Sequence, residues 1–338
     1  MRLSLQGGKK STHHENSATR RAILLAALAA PALLRPAAAQ PLWPSGQVRI
    51  IVPFAAGGTS DFLARLIAQR PGEKRGTSFV VENRTGAAGG IAAAAVSRER
   101  ADGSVLVLAD NSIASGPALG REPMVDPTTD LVPITKIVEY PALLLAGPRL
   151  PVRTLQEFLA HPRTRAGQID YGSGGNGSAP HLAMELFADV TGIRLNHVGY
   201  RGMAQAMTDL IGGRIDLAIS VVPTVRPMLD SPGLNVLAVA TSGARVPAVA
   251  QVPTAREQGV DFVLGFWFAL MAPRGLEPSL ATRIQQEVAG VVLAAETRAR
   301  LENQGGIVAA SMPADFRAEV ARDMQLWNRL IPEKGIRL

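Results

Sequence analysis

Short apolar runs recur along the chain, separated by longer stretches in which apolar residues fall three and four apart. The runs predict strands at Val48–Val52, Phe79–Glu82, Val105–Ala109, Ala142–Ala146, Ile169–Tyr171, Asn196–Tyr200, Asp216–Ile219, Val236–Ala240 and Phe266–Met271. They are brief and alternate little, the pattern of parallel strands buried on both faces. Helix signals fill the intervals. Ser60 opens a helix whose Leu63, Leu66 and Ile67 share one face, and Thr154 with Glu157 has capping-box spacing. Pro180 marks a first turn, and Gly212-Gly213 ends the helix carrying Met207, Leu210 and Ile211. Two long helices are predicted near the C-terminus, over 278–295 and 313–329. Strand–helix alternation implies an α/β protein with right-handed crossovers. It runs twice, from 48 to about 138 and from about 142 to 240. That predicts two similar lobes with a cleft between them, ligand lying beyond the carboxyl ends of the strands.

The first 39 residues stand apart. Arg20-Arg21 precedes a 13-residue apolar run, Ala22 to Leu34, and then Pro36-Ala37-Ala38-Ala39-Gln40. A basic flank, a short apolar stretch and a small-residue cleavage site predict a cleaved export signal with a twin-arginine look, the Sec route being the alternative. The run is too short for a hydrocarbon core of roughly 30 Å. A periplasmic location follows.

Charge changes the picture only until this leader is removed. The 338 residues carry a net charge of +7, but the leader holds six basic residues and one acid. The remainder, with 29 basic and 27 acidic side chains, is nearly neutral. No basic stripe interleaves with aromatics, so nucleic-acid binding is excluded. The absence of cysteine excludes disulfides, thiolate metal sites, a cysteine nucleophile and a lipidated N-terminal cysteine.

Two glycine-rich loops are candidate binding sites. Pro53-Phe54-Ala55-Ala56-Gly57-Gly58-Thr59-Ser60-Asp61 joins the first strand to the first helix. Its glycines permit a tight turn, Thr59 or Ser60 can cap, Asp61 answers the helix dipole, and the helix N-terminus attracts an anion. Tyr171-Gly172-Ser173-Gly174-Gly175-Asn176-Gly177-Ser178 leads into the helix at Pro180. It contains G-x-G-x-x-G, but no acid ends the following strand and no P-loop lysine is present. Ser173, Asn176 and Ser178 suit a small-anion cradle better than a cofactor site. For both loops the competing reading is a plain connector. His181 and Glu185 lie one helical turn apart, but no third ligand is spaced for a metal, so His181 reads as a donor at the helix start or a structural histidine. No nucleophile elbow follows a strand. No catalytic set, metal site or cofactor is expected, and Trp267 belongs to the core or the cleft wall.

These motifs resemble a known family. Pro53-Phe54-x-x-Gly57-Gly58-x-x-Asp61, Tyr171-Gly172-Ser173-x-Gly175-x-Gly177-Ser178-x-x-His181-Leu182-x-x-Glu185-x-Phe187, His197-Val198-x-Tyr200-x-Gly202 and Asp209-Leu210-x-Gly212-Gly213-x-x-Asp216 look like the Bug family. So do Leu237 to Ser242, Val252-Pro253-Thr254 and Trp267-Phe268-x-Leu270-x-Ala272-Pro273. These proteins are the extracytoplasmic substrate-binding receptors of tripartite tricarboxylate transporters. The resemblance runs from about residue 46 to the C-terminus.

It implies a two-lobed periplasmic-binding-protein fold (type II, Venus flytrap), each lobe a mixed sheet flanked by helices. Crossovers near 140–142 and 265–267 would give lobe 1 as 41–140 plus 266–338 and lobe 2 as 141–265. It implies a small carboxylate held largely by loop backbone and water, and delivery to the membrane permease subunits of a tripartite transporter by a monomer. Phe54, Ala56, Gly57, Gly58, Thr59, Asp61, Asn111, Ser112, Ser173, Asn176, Ser178, His181, Tyr200 and Ser220 are the expected ligand-binding residues. Four positions depart from the usual pattern: Gly199 replaces a proline, Arg201 a lysine, Ser220-Val221 a frequent Asp-Asn, and Asp110-Asn111-Ser112 a Thr/Ser-rich loop. Loss of an acid at Ser220 would weaken recognition of an ammonium group, and an inward Asp110 would disfavour a second carboxylate. A sensor on the same fold, signalling to a membrane partner, is the alternative function, and an exported enzyme ranks below both.

Overall fold

The computed structural model describes residues 43–44, 46–75, 78–120, 123–241, 243 and 245–333. The expected leader, residues 1–39, and Ser242 lie outside the described residues. Among the described residues ten strands form the sheet system: β1 (Val48–Val52), β2 (Phe79–Asn83), β3 (Val105–Asp110), β4 (Leu131–Ala146), β5 (Asp170–Ser173), β6 (Asn196–Gly199), β7 (Leu217–Ser220), β8 (Asn235–Ala240), β9 (Gly265–Pro273) and β10 (Ile307–Val308). Their main path runs β2-β1-β3-β9-β4-β7-β5-β6, with β8 and β10 also paired to β4.

The 16-residue β4 is the organising element. Its Leu131–Pro141 stretch pairs antiparallel with β9, and β10 pairs with it at Val138 and Glu139. From Ala142 onward β4 pairs instead with β7 on one side and β8 on the other, again antiparallel. Parallel pairing holds for β1 with β2 and β3, and for β5 with β6 and β7. Each half is thus the mixed sheet that the family resemblance implies, with antiparallel β4 and β9 added to the parallel strands that the apolar runs suggest. A sheet edge gains an antiparallel neighbour when the chain returns from the other half, and β4 and β9 are those returns. The sequence also predicted only the last five residues of β4. Its first half carries Thr135, Lys136 and Glu139, polar residues that hide a strand in a pattern search.

Strand β9 shows how burial on two faces builds the core. Phe266, Phe268, Leu270 and Ala272 join one buried cluster, while Trp267, Ala269 and Met271 join another. Alternate residues point to opposite faces, so a wholly apolar strand serves two layers. Trp267 is thereby core: it packs edge-on against Phe316 and donates from Nε1 to Asp323 at 2.7 Å.

The helices that matter for the site follow strands. They are α1 (Thr59–Arg75), α6 (Ala179–Thr191), α7 (Met203–Ile211) and the single turn α8 (Val222–Val225), each starting just beyond β1, β5, β6 and β7 respectively. Between α1 and α6 come α2 (Gly90–Ser97), α3 (Ser112–Ser115), α4 (Leu155–Ala160) and α5 (Pro162–Arg165). The chain closes with α9 (Pro278–Val292), α10 (Ala295–Glu302) and α11 (Pro313–Glu333). Thr154 caps α4 by accepting from the Glu157 amide at 3.1 Å, while the Glu157 carboxylate takes the Arg153 amide at 2.7 Å. At the far end of α7, Gly213 turns left-handed (φ 68°) to stop the helix.

A closed cleft ringed by helix N-termini

The loop after β1 turns at Gly57, whose φ of 88° is a left-handed conformation that costs a side-chain-bearing residue about 1–2 kcal/mol. Asp61, one turn into α1, reaches back to accept the Gly57 amide at 3.2 Å and accepts from Arg65 Nε and Nη2, each at 3.0 Å. Burial works to raise the Asp61 carboxyl, but Arg65 and Gly57 outweigh it and hold it below the usual carboxylate range. Asn83 completes the clamp, donating to Phe54 O at 3.0 Å and to Asp61 at 3.1 Å. Asp61 thus shapes the loop from behind.

The second loop is shaped in the same way. Gly175 has φ 121°, and a Cβ there would lie 2.9 Å from the Tyr200 carbonyl. Ser173 Oγ meets His197 Nε2 at 2.6 Å and takes the Gly175 amide at 3.1 Å. The Gly177 amide donates to His181 Nδ1 at 2.9 Å, so that nitrogen is unprotonated. The His181 and His197 rings stack at 4.0 Å, and Tyr171 packs on His197 at 5.0 Å. Burial, then the neighbouring His181, push the His197 imidazole down to about 4. Ser178 caps α6, accepting from the His181 amide.

Between these loops lies a small cavity of about 70 Å³. Four helix starts reach it: Gly58, Thr59 and Ser60 of α1, Ser178 to Pro180 of α6, Gly202 to Ala204 of α7, and Val221 with Thr224 of α8. Helices beginning at the carboxyl ends of strands aim unpaired amides and partial positive charge at one place. Ser220, Asp110, Phe54, Phe266 and Phe268 complete the wall. The cleft is shut. Thr59 Oγ1 lies 2.7 Å from Thr224 Oγ1, and Gly202 approaches Ala55 so closely that a Cβ there would be 3.6 Å from Ala55 Cβ. A neighbouring opening is lined by Asn176, Tyr200, Arg201, Gly175, Phe54 and the 85–88 segment.

Of the residues expected to bind ligand, the structure brings Phe54, Gly58, Thr59, Ser178 and Ser220 to the cavity wall, and Asn176 and Tyr200 to the adjoining opening. The Tyr200 hydroxyl itself donates to Asp209 at 2.9 Å. Ala56 and Gly57 stand exposed beside the cavity lining. Asp61, Ser173 and His181 lie behind the loops. Asn111 accepts from the Trp267 amide at 2.8 Å, tying the end of β3 to β9, and Ser112 holds Asp110. Sequence reasoning missed Thr224, Met203, Phe266 and Phe268. A third helix start after Tyr200-Arg201-Gly202 was the available signal for Met203. Nothing local marks the other three.

The comparisons with known proteins agree with this geometry. Residues 63–336 match the tripartite tricarboxylate transporter family receptor. The R. palustris protein Rpa4515, solved with adipate, is 34% identical with a TM-score of 0.82, covering 88% of this chain and 99% of its own. The periplasmic binding protein BugD is 28% identical with a TM-score of 0.81, covering 87% and 99%. MatC from Rhodopseudomonas palustris, solved with malate, is 28% identical with a TM-score of 0.79, covering 85% and 99%. Two lobes, a cleft at the carboxyl ends of the strands and a matching family signature over most of the sequence lead to one statement: this chain belongs to the tripartite tricarboxylate transporter receptor family, the Bug proteins.

Proposed function

We propose that the protein is a periplasmic receptor that closes two lobes over a small carboxylate-bearing solute and hands it, unaltered, to the permease of a tripartite transporter. The convergence of the α1, α6 and α7 N-termini on one closed cavity carries this reading. An anion there meets amide donors and helix dipoles without a dedicated cationic side chain. Each helix end contributes about 0.3–1 kcal/mol, and micromolar affinity needs about −8 kcal/mol, so lobe closure and direct hydrogen bonds supply most of it. The adipate and malate in the related structures support the ligand class.

The lobes are read as 41–140 with 266–338, and 141–265. The switch of β4 partners at Pro141–Ala142 and the pairing of Gly265 with Pro141 support those boundaries. Solute favours the closed form, and the permease reads closure as the loaded state. Export by the residue 1–39 leader, ligand contact through the loop residues named above, and a monomeric receptor belong to the same reading.

A thermal-shift screen of the exported protein against mono-, di- and tricarboxylates and amino acids tests it. A saturable rise in melting temperature with carboxylates is the expected result. Turnover of any of them, or binding confined to solutes without a carboxylate, refutes it.

A further inference from the structure

The closed cavity is walled largely by apolar side chains. Phe54, Pro180, Met203, Val221, Phe266 and Phe268 line it, and the last three are buried. Strand pairing fixes the two rings of β9: Phe268 lies opposite Asp110 of β3 and Val138 of β4, and Phe266 lies opposite Tyr140. Residues two apart on a strand share a face, so both rings meet the cavity together. Polar side chains on the wall are engaged within the protein. Thr59 and Thr224 bond each other, Ser178 caps α6, and Asp110 accepts the Ser112 amide at 3.0 Å. Ser60 and Ser220 add hydroxyls. No lysine, arginine or histidine lines this cavity among the described residues, and Arg201 belongs to the neighbouring opening, on the other side of Phe54.

We propose that the solute of this receptor is a compact monocarboxylate with an uncharged, apolar body. The inference rests on the receptor reading above and narrows it to a solute class. The amides at the starts of α1, α6 and α7 take the carboxylate, and the body packs on Phe54, Phe266 and Phe268. Each methylene buried against such a wall strengthens binding about fourfold. With about 70 Å³ of open space, the body is short. A second ionised group would lose its water among these rings, and a second carboxylate would find no cationic side chain on the wall to replace it. Adipate and malate, the ligands of two related structures, each carry two carboxylates. This chain differs from those proteins in taking one.

The test is calorimetric titration of the full exported protein at neutral pH with acetate, butanoate and pentanoate, and with succinate, glutarate, 4-aminobutanoate and 5-aminopentanoate. Butanoate is expected to bind at least tenfold more tightly than acetate, and at least tenfold more tightly than succinate or 4-aminobutanoate. Pentanoate should lead glutarate and 5-aminopentanoate by the same margin. Phe54→Ala is expected to weaken butanoate at least tenfold while changing acetate less than threefold. A diacid or amino acid binding as tightly as the monocarboxylate of its length overturns the inference while leaving the receptor intact. So does an affinity that does not rise from acetate to butanoate, or a Phe54→Ala protein that weakens both equally or neither. If none of these acids binds, the receptor reading falls together with the inference. Met203→Ala serves as the second variant should the Phe54→Ala protein fail to fold.

Discussion

The Thr59 and Thr224 hydroxyls meet at 2.7 Å although 165 residues separate them in the chain. One belongs to the first turn of α1 and the other to α8, so a buried hydrogen bond ties these two elements together across the cleft. Both side chains also line the cavity. Closure and the ligand site are therefore built from the same atoms.

Thr224→Val keeps the shape of this contact and removes its hydrogen bond. A hydrogen bond of this kind is worth about 1 kcal/mol net, so solute affinity is expected to fall about fivefold. The change should appear as faster dissociation, with the melting temperature of the unliganded protein little altered. Calorimetry and stopped-flow release measure the two quantities. An unchanged affinity would show that the bond does not bias closure.

Gly57 and Gly58 separate conformation from space. Gly57→Val forces a branched side chain into φ 88° and is expected to cost about 1–2 kcal/mol of stability, with the loop displaced and binding lost. A Cβ at Gly58 meets nothing nearer than the Ala55 carbonyl at 3.9 Å, and Gly58 lines the cavity. Gly58→Val should therefore fold normally while binding at least tenfold more weakly. Denaturant unfolding beside a binding titration distinguishes the two. Full binding in both variants would reduce this loop to a connector.

Asp216 anchors the second half of the sheet. Its fully buried carboxylate takes both Arg163 terminal nitrogens at 2.8 and 2.7 Å and the Asp170 amide at 3.0 Å. Removing it leaves Arg163 only its bond to the Gln168 carbonyl at 2.8 Å among its close partners and leaves the start of β5 without its acceptor. Asp216→Ala is expected to destabilise the protein by about 3 kcal/mol, as for a broken buried pair. Urea unfolding gives the value directly.

The His197 imidazole, lowered from 6.5 to about 4, sets a pH dependence. The unfolded chain takes up a proton below 6.5 that the folded protein refuses until about 4. Stability from this group is thus complete above 6.5 and lost as pH falls through that window. Wild-type protein should lose melting temperature between pH 7 and 4.5 more steeply than His197→Gln. Parallel profiles would mean that other groups dominate the acid response.

Much of the fold was legible because its signals are local. Strand β1, the turn at Gly57, the Thr154–Glu157 cap on α4, the Ser178 cap on α6 and the Gly213 stop after α7 each depend on residues within about four positions. The two candidate loops were found for the same reason. The polar half of β4 escaped detection because Thr135, Lys136 and Glu139 break the apolar pattern. Lys136 is held between Glu139 at 3.1 Å and Glu319 at 2.6 Å, the latter reached only through the packing of α11.

The sequence by itself determined an α/β chain with two anion-friendly helix starts and the family signature that spans it, since turn chemistry and capping need only neighbouring residues. Tertiary structure alone decided that β4 and β9 run antiparallel to their neighbours and that Trp267 faces the core while Phe266 and Phe268 face the cavity. It also decided that Asp110 shares their side of the sheet and that Thr59 meets Thr224. Each of these depends on the register between strands, or on contact between segments more than a hundred residues apart. Period-two alternation makes register decide everything about facing, because a shift of one residue would exchange cavity wall for core. No local pattern carries that choice; the packing of the whole sheet makes it.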